Sequence, residues 1–136
     1  MEQVISIGGI LARIMLCDDS KAVLSMFEKR LKAAGHEIVG RAMDGEEGLK
    51  LYTEKRPELT LLDITMPNKD GRECLQGILQ VDSTAKVIMI SALKDDAIVN
   101  SCLSNGAKAF IEKNKILKDE DFQREVLNVI DSILKS

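Results

Sequence analysis

Residues 59–71 read LTLLDITMPNKDG. Leu59-Thr60-Leu61-Leu62 is a short, near-continuous apolar run, the pattern of a strand buried on both faces. It stops at a carboxylate, Asp63. Met66-Pro67 shape the loop beyond, and Asp70-Gly71 open a helical pattern that places Cys74, Leu75, Ile78 and Leu79 on one face. The unit is therefore strand, polar loop, helix, with a charge placed where the buried strand runs out.

The same unit recurs on either side. Arg13–Cys17 is an apolar run ended by Asp18-Asp19, and Ser20 starts a helix with Val23, Leu24, Phe27 and Leu31 at helical spacing, closed by Gly35. EIVGRA (37–42) is a weaker strand. Asp44 stands three before Glu47, as in an N-cap with a reciprocal partner; Leu49 and Tyr52 continue that helix, and Pro57 ends it. KVIMI (86–90) is a fourth strand ended by Ser91-Ala92. Asp95-Asp96 cap a helix over Ala97–Ser104, and Asn105-Gly106 end it. AKAFIE (107–112) is a fifth strand ended by Lys113. A last helix from Asp119 has acids in its first turn and buries Phe122, Val126, Ile130 and Ile133. Alternating strands and helices predict an α/β domain with a five-stranded parallel sheet, doubly wound, covered on both faces. Residues 1–12 are expected to be an N-terminal extension and 13–136 one domain, with the last helix consuming the chain.

The totals narrow the function. The chain has 136 residues, 45% hydrophobic and 30% charged, the balance of a soluble domain with a real core. A net charge of −3 and a pI near 5.3 argue against direct nucleic-acid binding. No run approaches the ~18 apolar residues of a membrane span, and MEQVISIGGILA lacks the basic start of a signal peptide. Cys17, Cys74 and Cys102 are odd in number and form no metal-ligand spacing, so reduced, buried thiols in a cytoplasmic protein are expected.

In a parallel sheet all strand ends lie on one edge, where ligands bind. That edge gathers Asp18, Asp19, Asp63, Ser91 and Lys113. At ~4 Å and an effective dielectric of ~20, each close carboxylate pair costs on the order of 4 kcal/mol. A divalent cation relieves this, and an all-oxygen carboxylate set favours Mg²⁺ or a relative. An ammonium and a hydroxyl beside such a cation suit a phosphoryl guest. No GxxxxGK[ST] or GxGxxG loop is present. A carboxylate can itself be the nucleophile, and Asp63, alone at its strand end, is the best placed. Asp18 and Asp19 are better suited to share a cation.

The acidic pair after strand one, D-x-x-M-P-x-x-x-G from Asp63 to Gly71, Ser91-Ala92, and the run from Gly106 through Phe110 to Lys113 together resemble the receiver domain of two-component response regulators, in particular stand-alone chemotaxis-type (CheY-like) members. The resemblance covers the chain from about Ala12 onward and implies a flavodoxin-like (βα)5 fold. It implies that Asp63 accepts the phosphoryl group from a phosphohistidine on a sensor histidine kinase or phosphotransfer protein. Asp18, Asp19, Asp63 and the backbone carbonyl of Thr65 would hold Mg²⁺. Lys113 would bridge to the phosphoryl oxygens, Ser91 would swing in to bond them, and Phe110 would turn inward as Ser91 moves. The switched surface would be helix four, strand five and helix five, read by a separate effector protein. Thr65 and Leu93 would stand at positions that tune dephosphorylation.

The pattern departs from the family at one place. Asn114 stands where a proline, reached through a cis bond, usually follows the lysine; a cis bond before a non-proline costs ~3–4 kcal/mol. Either a trans bond with a shifted loop or a strained cis bond is expected. Two other readings use the same residues: a degenerate receiver serving only as a phosphorylation-independent binding module, and an aspartate-nucleophile phosphatase. The second expects Asp-x-Asp after strand one, where the acids here are adjacent. His36, the one histidine, is expected to serve the turn into strand two. Lys108, Lys115 and Lys118 are each read as solvated.

Overall fold

The computed structural model describes residues 10–92 and 95–136. Of the sequence expectations, residues 1–9 of the extension and Leu93 fall outside these residues. The elements alternate as β1 (Arg13–Cys17), α1 (Lys21–Ala33), β2 (Glu37–Ala42), α2 (Gly45–Lys55), β3 (Leu59–Asp63), α3 (Gly71–Val81), β4 (Val87–Ser91), α4 (Asp96–Ser104) and β5 (Ala109–Glu112). A 3₁₀ turn (Lys113–Ile116), α5 (Asp119–Phe122), a π-wound stretch (Gln123–Leu127) and α6 (Asn128–Lys135) complete the chain. The five strands pair in parallel in the order β2-β1-β3-β4-β5. The sheet is doubly wound and flavodoxin-like, with its topological switch between β1 and β3.

Strand alternation divides the core. Ile14, Leu16, Leu59, Leu61, Ile88, Ile90 and Ile111 join Leu24, Phe27 and Leu31 of α1 and Phe122, Val126 and Ile130 of the last helical stretch. The intervening positions, Met15, Cys17, Leu62, Val87 and Met89, meet Cys74, Leu75, Ile78 and Cys102 on the other face. All three thiols are free and buried. Asp18 and Asp63 follow the first parity, so their carboxylates leave the sheet on the α1 side.

The helix starts are set by side-chain caps. Ser20, Asp44, Asp70 and Asp95 each accept from a backbone amide of the following turn. Glu47 reciprocates one residue earlier than expected, accepting from Met43 rather than from Asp44. Gly35, at φ 98°, takes the left-handed turn out of α1. His36 then serves the start of β2: its buried Nδ1 accepts from the Ala12 amide at 3.1 Å.

Two boundaries and the winding of the last helix differ from expectation. β4 takes in Ser91 at its end. β5 begins at Ala109, because Ala107 bonds back to Cys102 and closes the turn out of α4. The last helix is not uniform. Phe122, Val126 and Ile130 repeat every four residues, which outruns the 3.6 of an α-helix, and the wider winding of Gln123–Leu127 keeps them facing the core.

Candidate functional site

The carboxyl edge of the sheet brings together five of the residues singled out above. Asp18 follows β1 and is 2% exposed, with Oδ1 accepting from the Ser20 amide at 2.9 Å. Asp19 beside it is exposed. Asp63 ends β3 and is 4% exposed. Carboxylate oxygens of Asp18, Asp19 and Asp63 lie within 4.8 Å of one another. Lys113, the first residue after β5, reaches across β4 to place Nζ 2.7 Å from Asp18 Oδ2 and 3.4 Å from Asp63 Oδ2. Ser91 ends β4 and is buried; its backbone is in register with Glu112, next to Lys113. The Lys113–Asn114 bond is trans, and Lys113 meets the acids through it. Phe110 is half-buried against the α2–α4 side of the core.

Electrostatics set the character of the pocket. Burial, then the neighbouring Asp18 charge, push the Asp63 carboxyl up to about 6, against the pull of Lys113 and the Thr65 amide. For Lys113, burial acts downward, but the bond to Asp18 and the charges of Asp63 and Asp18 outweigh it and hold its pKa above the usual value. One ammonium thus pairs with two of the three clustered carboxylates, Asp18 and Asp63, and a net negative charge remains. The donor set is oxygen only, so these residues fit a hard divalent cation such as Mg²⁺.

The loop after Asp63 is built by close approach. A Cβ on Gly71 would strike the Asp63 carbonyl oxygen and lie 2.7 Å from Ile64 Cα, so α3 begins in backbone contact with the end of β3. Gly71 was legible as part of the motif, but its reason was not. Met66 is buried, while Thr65 and Pro67 are exposed. Asn68, at φ 65°, donates to the Asp44 carboxylate at 2.9 Å and ties this loop to the start of α2.

The sequence matches the family model for the response regulator receiver domain over residues 14–126. The chain belongs to the response regulator receiver family. Its relatives in two-component signalling include the chemotaxis protein CheY of Treponema pallidum, 38% identical over 125 residues that span 90% of this chain and 83% of that one. Protein CcdB of Bacillus subtilis is 39% identical over 112 residues, 79% of this chain and 93% of that one. Among solved structures, CheY in the CheX-CheY-BeF₃-Mg²⁺ complex of Borrelia burgdorferi superposes with a TM-score of 0.80 at 36% identity, covering 87% of this chain and 88% of that one. The receiver domain described here is CheY-like in sequence and fold. No described helix is long and apolar enough to cross a membrane.

Proposed function

We propose that the protein is a phosphorylation-dependent signalling switch, with residues 13–136 as its receiver domain and Asp63 as the acceptor. The observation that carries this reading is the meeting of Asp63 with Asp18 and Lys113 at the switch point of the sheet. An Asp63 carboxylate oxygen attacks the phosphorus of a phosphohistidine on a sensor kinase or phosphotransfer protein. The P–O bond to Asp63 forms as the N–P bond breaks, and the imidazole leaves with its electron pair. Lys113 is already within reach of Asp63 and offers its ammonium to the phosphoryl oxygens.

Asp18, Asp19, Asp63 and the Thr65 carbonyl are the residues that would hold Mg²⁺. When bound, the cation supplies charge neutralisation for the acids and the phosphoryl oxygens. The BeF₃ and Mg²⁺ in the Borrelia burgdorferi complex support this reading by analogy. Ser91, buried at the end of β4, turns its hydroxyl to the new phosphoryl group, and Phe110 turns inward behind it. Those movements bias the surface formed by α4, β5 and the last helical stretch from Asp119 to Lys135, which a separate effector protein reads. The domain catalyses only its own phosphorylation and dephosphorylation.

The test is labelling by acetyl phosphate with Mg²⁺. An acid-stable but hydroxylamine-sensitive phosphoryl group is expected on the wild type and absent from Asp63→Asn. Labelling that survives Asp63→Asn would overturn the assignment. Steady release of phosphate from an external phosphomonoester would favour a phosphatase instead.

A further inference from the structure

We infer that Arg30 of α1 is a positioning residue for Lys113, acting through the 3₁₀ turn that Lys113 opens; the inference rests on the role proposed above for Lys113. Arg30 Nη1 donates to the Ile116 carbonyl at 3.1 Å and Nη2 to the Leu117 carbonyl at 2.6 Å. Its Nε lies 2.7 Å from Asp119 Oδ1, and the guanidinium sits 5.2 Å from the Phe122 ring centre. One planar fork thus joins both carbonyls at the end of the turn, the acid that opens α5, and a core aromatic. Only a guanidinium offers donors in that arrangement; an ammonium is a single point.

The position of Lys113 follows from what holds its two sides. Upstream, Glu112 is in register with Ser91 at the last rung of the sheet. Downstream, Ile116 is fully buried and its carbonyl is held by Arg30. Between them Asn114 and Lys115 are exposed, and no proline in KNKILK fixes a φ angle of its own. The arch that carries Lys113 is therefore held at its ends, one by the sheet and one by a residue of α1 that stands outside the acidic pocket. Release of the Arg30 end lets the turn unwind at its terminal carbonyls, and Lys113 loses its fixed reach to Asp18 and Asp63.

The experiment is a double-mutant cycle on the rate of Asp63 phosphorylation by acetyl phosphate with saturating Mg²⁺. Arg30→Ala is expected to lower the rate about tenfold, the scale of losing a group that orients an active side chain. In a Lys113→Ala background the same substitution is expected to have no further effect. Arg30→Lys keeps the charge and the stem but not the fork; it is expected to fall between, and it serves in the same cycle if Arg30→Ala does not fold. An equal loss in both backgrounds, or no loss from a folded Arg30 variant, overturns the inference. Loss of labelling in Asp63→Asn alongside such additivity leaves the acceptor assignment standing and removes only the role of Arg30.

Discussion

Asp63 binds its proton more tightly in the folded chain than in the unfolded one. Its pKa rises from an ordinary 3.8 to about 6, so its contribution to stability is fully present below 3.8 and is lost as pH rises through about 6. Near neutral pH the ionised group costs on the order of 3 kcal/mol. Asp63→Asn keeps the shape and removes the charge, while Lys113 keeps Asp18 as partner. It is expected to stabilise the metal-free domain by on the order of 1–3 kcal/mol near neutral pH, in urea titrations, with the gain vanishing in acid. A variant less stable than the wild type at neutral pH would mean that the pocket is not under charge strain. Thr60 is a second case at this scale. It sits fully buried in mid-β3, and its Oγ1 has no hydrogen-bond partner among the described residues. Thr60→Val is expected to stabilise by about 1 kcal/mol, because it removes an unsatisfied hydroxyl at constant shape. An unchanged or lowered urea midpoint would show that the hydroxyl does find a partner.

At the scale of elements, what was legible followed from period and punctuation. The strand runs, the helix starts at Ser20 and Asp70, the caps at Asp44 and Asp95, and the clustering of acids and Lys113 at strand ends depend on neighbours close in sequence or on the one-edge rule of parallel sheets. The π-wound stretch, the 3₁₀ turn and the grip of Arg30 were not legible. They depend on packing, and two of the Arg30 partners are backbone carbonyls 86 and 87 positions away, which no side-chain pattern announces. Strand order belongs to the same class, since it is fixed by the whole sheet. The junction of β3 and α3 gives a test of close approach. Gly71→Ala puts a methyl group against the Asp63 carbonyl and Ile64 Cα, both backbone atoms that move only with their strand. A loss of ~3 kcal/mol, together with slower phosphorylation, is expected because Asp63 itself is displaced. A neutral effect on both would show that α3 can slide away from β3 freely. His36→Ala is milder in origin: it leaves the buried Ala12 amide without its acceptor, at a cost of ~1–3 kcal/mol measured by urea unfolding.

At the scale of the molecule, the doubly wound order places three acids at the switch point and supplies one ammonium against them. The fold therefore keeps an unbalanced charge at the edge where the proposed site lies. Mg²⁺ is the expected counterweight, and linkage turns that into a measurement. A cation that binds only the folded state stabilises it by RT ln(1 + [L]/Kd), ~2.7 kcal/mol at a hundredfold excess over Kd. The midpoint of thermal unfolding is thus expected to rise with Mg²⁺. The rise should be greater near neutral pH than near pH ~5, because below about 6 Asp63 holds a proton that competes with the metal. Asp18→Asn and Asp63→Asn are each expected to weaken the rise. If Mg²⁺ stabilised Asp63→Asn as much as the wild type at both pH values, the cation would be binding elsewhere. The acidic edge would then have to be balanced by Lys113 alone, and the strain inferred at Asp63 would be the quantity to revise.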